Sequence, residues 1–379
     1  MTRVGILGID PGHRHILHAM CELFSVDEVE LTVCTTEDNF ENLRVRGCET
    51  KNLKTLLKPS NESTRSFLDR VEEFATADLD LLYINTVGYS LGRYLSYVGF
   101  DPDCQLYARI FNSRTWFNPT LEIRNLRSFG YVNLCHVPRQ LFRRKLDGVV
   151  VEYPPMKQFI KTETTYSGSV STIPILFDTA QYESAPSPGD IHVVVPGNVQ
   201  SHRRDYDSLL DAFEQTDGRV SLELLGRPRD EYGEHIITRC RELRREGYEV
   251  VTHSNWIDDT DFERGIASAD IICSPFRSEV TASSLNTEIY GRTKGSAIIG
   301  HALRHSKPLL VPDWFELSWL LPECSLTYSD NEELAELFGQ IEQDEVDVGK
   351  LNRIAKTNTQ RIGKFYSNHI RSFFAGDLP

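Results

Sequence analysis

The sequence predicts an α/β protein made of two Rossmann-like domains whose parallel sheets face a central cleft. Its 379 residues favour two to three domains, because globular domains average roughly 150 residues. Short apolar runs alternate with amphipathic helical patterns along the chain, which is typical of parallel sheets covered by helices. Residues 184–190 form the stretch richest in Pro, Gly and Ser, and this indicates a linker between two similar halves.

The first half, residues 1–185, predicts a series of βα units. Apolar runs predict strands over residues 3–9, 28–36, 79–84, 105–111 and 148–152. Amphipathic patterns predict helices over residues 16–24, 61–75, 119–128 and 138–146. Apolar strands of this kind belong to parallel sheets that helices cover on both faces.

The second half, residues 190–345, repeats this organisation. It predicts strands over residues 191–195, 221–225, 249–253, 270–274 and 308–311. It predicts helices over residues 205–215, 232–246, 259–267 and 296–305. A last helix, over residues 347–374, is expected to cross back to the first domain. Because such folds bind ligands at the carboxyl ends of their strands, the loops that follow the strands are the candidate site.

The charge of the chain excludes bulk binding of nucleic acid. With 55 acidic and 41 basic residues the net charge is −14, whereas nucleic-acid binding needs a basic surface that displaces counterions. The basic residues are 30 Arg and 11 Lys, and an acidic, Arg-rich chain indicates adaptation to high salt. No apolar run is long enough to span a membrane, and Met1 leads directly into a strand pattern. The sequence therefore predicts a halophilic, cytoplasmic protein.

The composition indicates no metal site. The eight cysteines are far apart and form no C-x-x-C pair, so they are expected to be reduced and mostly buried. The sequence also has no dense group of carboxylates of the kind that holds an obligate metal ion, which leaves open Mg²⁺ that binds together with a phosphate ligand.

The loop after the first strand is compatible with more than one function. Gly5, Gly8 and Gly12 lie where a dinucleotide-binding fingerprint would, but their spacing departs from G-x-G-x-x-G. A nicotinamide cofactor therefore stays an alternative. Gly12 and His13 could instead contact a substrate or its leaving phosphate, or they could lie in a solvated loop ahead of the helix.

The corresponding loop of the second half is suited to an anion. Gly197 begins a turn, and Arg203 and Arg204 precede a helix whose first N–H groups point toward this loop. A planar guanidinium group can donate two hydrogen bonds at once to a phosphate. A solvated Arg pair at this helix end would oppose the helix dipole. We therefore interpret Gly197, Arg203 and Arg204 as part of a diphosphate site.

The order of motifs resembles a known family. A strand ending in Pro and Gly197 is followed by Arg204, then by Leu-Leu-Gly at residues 224–226, Ser-Pro at 274–275 and Lys-Pro at 307–308. This order resembles that of GT-B glycosyltransferases of the retaining family 4 type. A strand that leads to Pro174 and Asp178 ahead of the linker is also similar, so the resemblance extends from residue 3 to residue 312.

The resemblance implies a function. Members of the family transfer a sugar from a nucleoside diphosphate sugar, held by the second domain, to an acceptor docked on the first. They retain the anomeric configuration and usually need no metal ion. For this chain the resemblance implies a hexosyltransferase without a required cofactor. Its acceptor would be a glycan or a lipid-linked glycan, in the synthesis of surface polysaccharide or glycoprotein glycans.

The chain departs from the family's pattern at one signature. The family has two glutamates eight residues apart, and in this chain Thr293 and His301 occupy these two positions. The segment around the first position is still suited to a phosphate, because it offers a cation, two hydroxyls and a glycine at a helix start. Its residues, which we assign to the donor diphosphate, are Thr293, Lys294, Gly295 and Ser296. In the alternative interpretation, Thr293 or Ser296 is an ordinary helix cap.

The implied mechanism places positive charge beside the leaving diphosphate. Arg204 matches the family's lysine in this role, and Arg204 and Lys294 are the predicted catalytic residues. Asn198 stands where the family commonly has arginine, so Arg203 is expected to substitute for it. The predicted contacts of the sugar or ribose are Arg277, Glu288 and His301.

On the acceptor side, Asn112 occupies the position of a histidine that is common in the family. An amide can bind a sugar hydroxyl but cannot act as a general base. The predicted acceptor-side residues are therefore binding groups, namely Gly12, His13 and Asn112.

A basic cluster follows a predicted helix start at Pro138. It comprises Arg139, Arg143, Arg144 and Lys145, with apolar residues between them. The cluster could rest on an anionic membrane, as an enzyme with a lipid-linked acceptor would need, or it could be a solvated helix face. In the first case the protein is peripheral at the inner face of the membrane.

Three other functions are compatible with the sequence. A GT-B sugar-nucleotide epimerase would share the fold and the donor but would need no acceptor. A nicotinamide-dependent oxidoreductase would use the first glycine loop. A non-catalytic GT-B-like protein that binds a sugar or a partner is suggested by Thr293, His301 and Asn112 at positions where the family has its signature groups.

Overall fold

The computed structural model of the chain describes residues 1–48, 53–88, 90–117, 126–175, 191–281, 286–315, 321 and 323–374. It divides into two units. The first unit comprises Met1–Asp178, Thr281–Gly295 and Phe365–Pro379, and the second comprises Thr179–Val280 and Ser296–Lys364.

The first unit contains a parallel sheet covered by helices. Its strands are β1 (Thr2–Gly8), β2 (Val29–Thr36), β3 (Lys54–Lys58), β4 (Leu81–Ile84), β5 (Gln105–Arg109), β6 (Gly148–Val151) and β7 (Ser169–Thr172). Its helices are α1 (Arg14–Phe24), α2 (Glu37–Val45), α3 (Thr64–Asp78), α4 (Leu91–Val98), α5 (Ser113–Phe117), α6 (Leu126–Arg143) and α7 (Pro154–Glu163). The strand order is β3-β2-β1-β4-β5-β6-β7, and all neighbours pair in parallel.

The second unit repeats this architecture. Its sheet strands are β8 (Ile191–Pro196), β9 (Val220–Leu225), β10 (Val250–Thr252), β11 (Ile271–Cys273), β14 (Leu309–Pro312) and β15 (Ser325–Tyr328). Two short strands, β12 (Glu279–Thr281) and β13 (Thr287–Ile289), lie outside both large sheets. The remaining helices are α8 (Tyr206–Phe213), α9 (Glu231–Glu246), α10 (Asp259–Ser268), α11 (Ala297–His305), α12 (Asn331–Glu342) and α13 (Val348–Phe374). The sheet order is β10-β9-β8-β11-β14-β15, again parallel throughout.

The two sheets confirm the predicted fold class of two parallel-sheet α/β domains. Residues 4–8 of β1 and all residues of β8 are buried, as expected for strands of a parallel sheet that helices cover on both sides. In each sheet the strand order reverses once, between β1 and β4 and between β8 and β11. Loops on either side of such a reversal diverge and leave room for a ligand at the carboxyl ends of the strands.

Several helices of the second unit begin at aspartates whose side chains bind the free N–H groups of the first turn. Asp205 accepts from Ser208 N, Asp230 accepts from Gly233 N, and Asp258 accepts from Asp261 N. Such caps stabilise a helix end by about 1 kcal/mol each. They explain why the predicted and observed starts of α8, α9 and α10 agree to within one residue.

One difference between the predicted and observed secondary structure concerns α6. The sequence predicts a helix start at Pro138, whereas α6 begins at Leu126 and continues through this proline. Proline is favoured in the first turn of a helix, but its cost inside a helix can be offset by packing. Most of the helix predicted over residues 119–128 and the whole linker predicted over residues 184–190 lie outside the described residues.

The division of the chain also differs from the predicted boundaries. Residues 281–295, which the sequence assigns to the second domain, belong to the first unit. The side chains of Glu288, Arg292 and Lys294 bind residues of that unit. Helix α13 begins in the second unit and ends in the first, where Ile370 is fully buried in the core.

The cysteines are reduced and most of them are buried, as the sequence predicts. All eight cysteines lie in described ranges and none forms a disulfide, and six of them are buried. Among the described helices, none has the length and apolar character required to cross a membrane.

Candidate functional site

The loop after β8 forms a sharp turn at Gly197. This residue has a φ angle of +105°, which side-chain-bearing residues rarely adopt. The turn packs closely on the loop after β9, because a Cβ atom at Gly226 would overlap with the Gly197 backbone. The two glycines therefore allow the loops that follow β8 and β9 to approach each other at the carboxyl edge of the sheet.

Arg204 connects the ends of β8 and β11, where the strand order reverses. Its Nη2 donates to the carbonyl oxygen of Pro196 at 2.7 Å, and its Nε donates to Ser274 Oγ at 3.0 Å. Its Nη1 donates to Tyr206 Oη at 3.4 Å, and its Cζ lies 6.0 Å from the ring centre of Phe276. These contacts use three of the five N–H groups of a guanidinium. The contacts fix the positive charge of Arg204 at the point where the strand order reverses. The two remaining N–H groups of the guanidinium can donate to an anion.

The structure brings Arg203 and Arg277 to the same edge. The Arg277 N–H donates to the carbonyl oxygen of Arg203 at 3.0 Å, and the Arg277 Nε donates to that of Arg204 at 3.4 Å. Its Nη2 lies 3.5 Å from Asp205 Oδ1. Arg203 and Arg277 are exposed. Together with Arg204, they are three predicted site residues that lie next to one another at the carboxyl ends of the strands of the second unit.

A pocket of about 220 Å³ opens beside this turn. Trp256 is 67% exposed, and the Cζ of Arg227 lies 5.6 Å from its ring centre. An exposed aromatic face and an arginine are groups on which nucleobases stack. The pocket is lined by Gly197, Asn198, Leu225, Gly226, Arg227, Trp256, Ile257, Asp259 and Phe262.

His301 contacts one wall of this pocket. Its ring packs edge-on against Phe262 with the centroids 5.4 Å apart. Burial lowers the pKa of His301 to about 4, although the charge of Glu263 opposes the shift and the charge of Arg204 adds to it. His301 is therefore neutral at pH 7, and it can offer one acceptor nitrogen and one N–H to a polar ligand.

A buried ion cluster holds α10 and α11 together below this histidine. Glu263 Oε1 accepts from Arg304 Nη1 at 2.6 Å, and Glu263 Oε2 lies 2.7 Å from His305 Nε2. All three side chains are less than a tenth exposed. Burial alone would raise the pKa of Glu263, but the hydrogen bond from His305 and the neighbouring positive charges lower it to about 2.

The Glu263 cluster predicts a specific pH dependence of stability. A carboxyl group whose pKa falls on folding stabilises the native state above its unfolded pKa of about 4.5, and this contribution is lost as the pH falls toward 2. The shift corresponds to about 3 kcal/mol. We expect Glu263→Gln to lower the melting temperature at pH 7 and to flatten its decline between pH 5 and 3. Glu246→Gln, at an exposed carboxylate, is the control, and identical pH profiles for both variants would contradict the assignment.

In the first unit, Glu288 is an acceptor for the N-terminal end of α5. Its Oε1 accepts from Thr115 N at 2.8 Å and from Thr115 Oγ1 at 2.6 Å, and its Oε2 accepts from Arg114 N at 3.2 Å. The side chain is fully buried, and burial raises its pKa while the Thr115 hydroxyl opposes the shift. The predicted sugar or ribose contact of Glu288 is therefore not what the structure shows, because its oxygens are occupied by protein donors.

Lys294 is bound to the acceptor-side residue Asn112. Its Nζ donates to Asn112 Oδ1 at 2.8 Å and lies 6.0 Å from the ring centre of Tyr290. The backbones of Asn112 and Lys294 also form an isolated antiparallel bridge. The Ser113 N–H donates to the carbonyl oxygen of Thr293 at 2.6 Å. These contacts explain why residues 281–295 belong to the first unit.

The other residues of the predicted phosphate segment have internal roles. Thr293 is 1% exposed and its Oγ1 accepts from Ile289 N at 2.8 Å, so it is a structural residue and not a surface phosphate ligand. Ser296 is the N-cap of α11, and its Oγ accepts from Ile298 N at 3.4 Å. Gly295 packs against Glu152, since a Cβ atom there would overlap with the Glu152 carboxylate.

Glu152 is a buried carboxyl group to which the sequence analysis assigns no role. It follows β6, is 2% exposed, and its Oε2 has no hydrogen-bond partner among the described residues. Burial raises its pKa, opposed by the charges of Arg109, Lys294 and His13. The His13 ring stacks on Phe111 with centroids 5.1 Å apart. These contacts place a carboxyl group among cations at the carboxyl edge of the first sheet.

Gly12 lies in the turn after β1. Its N–H donates to Asp10 Oδ1 at 2.9 Å in a short 3₁₀ turn, Pro11–His13. The His13 Nδ1 lies 3.7 Å from the same carboxylate. Gly12 and His13 thus lie at the carboxyl end of β1, and Asn112 lies after β5.

The predicted basic cluster does not form one continuous basic surface. Arg139 is 2% exposed, with its guanidinium 5.6 Å from the ring centre of Tyr94. Arg143 and Lys145 are half-buried, and only Arg144 of the four is exposed. The cluster therefore does not offer four cations to a membrane, because its helix turns Arg139 toward the core.

Several residues that line the pocket carry no local pattern in the sequence that predicts a role. Trp256, Arg227 and Phe262 are far apart in the sequence and meet only where the loops after β9 and β10 converge with α10. Across the part of the chain that the structure describes, no group of three or more His, Cys, Asp or Glu side chains is arranged to hold a metal ion.

Comparison with known proteins shows similarity of fold. No protein-family model matches the sequence, and no curated protein sequence matches it. Anabaena HepE in complex with UDP is 15% identical with a TM-score of 0.63, covering 99% of this chain and 100% of that chain. A variant of S. aureus TarM in complex with fondaparinux, α-GlcNAc-glycerol and UDP is 9% identical with a TM-score of 0.65, covering 99% of both chains.

A third solved structure extends this similarity. Sucrose-phosphate synthase from Thermosynechococcus elongatus is 12% identical with a TM-score of 0.62 and 99% coverage of both chains. Identities this low carry information about fold alone. The chain therefore has the two-domain GT-B fold of these solved structures.

Proposed function

We propose that the protein is a glycosyltransferase that takes a sugar from a nucleoside diphosphate sugar bound to its second unit. The observation that carries this proposal is Arg204, held at the reversal point of the second sheet beside a pocket with an exposed aromatic face. Gly197 lines the pocket and also lies against the Arg204 guanidinium. A base in the pocket and a diphosphate at Arg204 would therefore bind to adjoining groups.

The chemistry of the site supports group transfer from a diphosphate. In the transition state the sugar ring gains positive charge and the leaving diphosphate gains negative charge. Arg204, with Arg203 and Arg277 at the same edge, would stabilise the leaving group from positions that are set before the reaction. Lys294 stays a proposed catalytic residue, with its ammonium oriented by Asn112.

The fold neighbours support a nucleotide-sugar donor. Structures of Anabaena HepE contain UDP or UDP-glucose. We therefore expect UDP or a related nucleoside diphosphate to bind in the pocket of Trp256. His301, beside Phe262, is the proposed contact of the ribose or sugar.

The resemblance of motifs supports finer proposals. They are transfer of a hexose with retention, no required metal ion, and a glycan or lipid-linked acceptor in surface polysaccharide or glycoprotein glycan synthesis. The acceptor would bind to the first unit near Gly12, His13 and Asn112, which lie at the carboxyl ends of its strands. Location in the cytoplasm, with peripheral contact at the membrane, and adaptation to high salt belong to the same proposal.

The proposal is tested by thermal shift with UDP, GDP, ADP, their sugar conjugates and NAD(P)H, at low and multimolar salt. We expect one nucleoside diphosphate to raise the melting temperature, since a ligand at ~100 times its Kd adds about 2.7 kcal/mol to the free energy of unfolding. Trp256→Ala should weaken its affinity by about 1–3 kcal/mol through loss of stacking, while Trp256→Phe should retain most of it. A shift with NAD(P)H alone, or with no nucleotide, would overturn the proposal.

Incubation of the identified donor without acceptor separates transfer from epimerisation. Conversion of the nucleotide sugar to a stereoisomer would identify an epimerase. Release of the nucleoside diphosphate only when a glycan acceptor is present would identify a transferase. Binding without either reaction would identify a non-catalytic protein.

A further inference from the structure

Two cysteines of the first unit lie side by side in the core around α1. Cys21 belongs to α1 and is fully buried, whereas Cys48 follows the end of α2 and is half-buried. Cys48 packs against the core cluster that contains Cys21, and the thiols of the two residues form a hydrogen bond with each other. The two sulfur atoms are therefore in contact. Cysteines can be bridged without movement of the backbone only when they already lie this close together.

The end of α2 fixes the position of Cys48. Gly47 has a φ angle of +82°, and its N–H donates to the carbonyl oxygen of Arg44 at 3.0 Å. The Cys48 N–H donates to the carbonyl oxygen of Leu43 at 3.1 Å. This pair of bonds is the Schellman motif, in which the residue after the glycine packs back on the last turn of the helix. The backbone of Cys48 is thus held beside α1 by hydrogen bonds that do not involve its sulfur.

We propose that Cys21 and Cys48 form a redox-sensitive pair, which hydrogen peroxide converts into a disulfide that ties α1 to the end of α2 in the native structure. This inference goes beyond sugar transfer and does not depend on it. In a reducing environment both residues would be thiols, so the disulfide would form on exposure to an oxidant and would be reversed by thiol exchange.

The two thiols have different roles because only Cys48 reaches the solvent. The hydrogen bond with Cys48 and burial raise the pKa of the Cys21 thiol, so Cys21 stays protonated. The Cys48 thiolate attacks one oxygen of the peroxide, and the products are a sulfenic acid and hydroxide. The Cys21 sulfur then attacks the Cys48 sulfur, whose S–O bond breaks, and the Cys21 proton leaves with the hydroxyl group as water. In total two thiols lose two hydrogens and two electrons, and hydrogen peroxide is reduced to two water molecules.

The disulfide would complete a set of contacts between α1 and α2. At the other end of the two helices, the side chain of Asn39 on α2 is buried. Its Oδ1 accepts from Arg14 Nε on α1 at 2.9 Å, and its Nδ2 donates to the carbonyl oxygen of Gly8 at 3.0 Å. A bond between Cys21 and Cys48 would join the helices at their opposite ends. Because it would also restrict the unfolded chain, it should stabilise the native state.

Oxidation of the full chain with hydrogen peroxide at about pH 8, where an exposed thiol is partly ionised, tests this proposal. Digestion without reductant uses trypsin and a glutamate-specific protease, which separate Cys21 from Cys34 because Glu28 lies between them. Mass spectrometry then identifies the cysteines that are joined. We expect peptides joined through Cys21 and Cys48, which dithiothreitol separates. Oxidation should also raise the melting temperature of the wild type by several degrees.

Three variants provide the controls, and circular dichroism shows whether each is folded. Cys104→Ser, at the other half-buried cysteine, should form the disulfide as the wild type does. Cys48→Ser should form no disulfide with Cys21, and oxidation should not raise its melting temperature. Cys21→Ser should instead accumulate sulfenic acid at Cys48, which dimedone traps.

Three results would overturn the proposal. The first is that the folded wild type keeps both thiols under conditions that oxidise exposed cysteines. The second is that Cys48 pairs with another cysteine or joins two copies of the chain. The third is a disulfide between Cys21 and Cys48 that leaves the melting temperature unchanged or lowers it, since the bond would then not fit the native arrangement of α1 and α2.

Discussion

Replacing Arg204 with alanine is expected to lower kcat/KM for sugar transfer by about 30- to 1,000-fold. This corresponds to about 2–4 kcal/mol of transition-state stabilisation, the range found when a preorganised charge or donor is removed. The structure supplies the preorganisation, because Pro196 and Ser274 fix the guanidinium between the ends of β8 and β11. Steady-state kinetics with the identified donor and acceptor measure the effect.

Two further variants test whether the fall in kcat/KM comes from the charge and shape of the Arg204 side chain. Arg241→Ala, at an exposed arginine of α9, should leave kcat/KM unchanged. Arg204→Lys should recover part of the activity, because an ammonium keeps the charge but not the planar fork. Near-ultraviolet circular dichroism shows whether the loops around Pro196 stay native. Unchanged kcat/KM in a folded Arg204→Ala variant would remove Arg204 from the mechanism.

Replacing Glu288 with alanine is expected to destabilise the packing of residues 286–295 on the first unit by about 3–5 kcal/mol. The substitution leaves two backbone N–H groups and the Thr115 hydroxyl buried without an acceptor, and hydrogen bonds to a charged group contribute about 1.5–3 kcal/mol each. Hydrogen exchange measured by mass spectrometry should show faster exchange in α5 and in residues 286–295. A local measurement is preferable because a chain with two units need not unfold in one step.

The same substitution at an exposed carboxylate provides the comparison. Glu246→Ala, at the end of α9, should leave exchange in α5 unchanged. Glu288→Gln should have an intermediate effect, since its amide keeps one acceptor oxygen and turns an NH₂ group toward the Thr115 donors. Protection of α5 equal to that of the wild type in Glu288→Ala would show that Glu288 does not hold this segment.

The fold was predictable because it depends on local periodicity. Strands such as β1 and β8 are apolar runs of strand length bounded by Gly or Pro, and helices such as α9 and α10 begin at capping aspartates. These signals do not depend on distant residues. Short or partly exposed strands such as β3 have no such pattern, because their pairing with a neighbour and not their own composition places them in the sheet.

The candidate site was predictable where its residues follow one another in the chain. Gly197, Arg203 and Arg204 lie between a strand and a helix, so their place at the carboxyl edge follows from topology. Glu288, Thr293 and Lys294 could not be placed in this way. Their segment leaves the second unit and binds α5 and Asn112, which lie more than 170 residues earlier in the chain.

The amino-acid pattern alone predicted the two parallel-sheet domains and the loop that carries Arg204, because the periodicity that marks each strand and helix is local, although the strands themselves pair over long sequence separations. Only the tertiary structure decided that Glu288 is a buried acceptor, that Trp256 forms the wall of a pocket, and that Cys48 lies against Cys21. The physical reason is that burial and hydrogen-bond partners depend on which distant surfaces meet. A residue's type limits the bonds that it can make, but its neighbours in space determine which of them it makes.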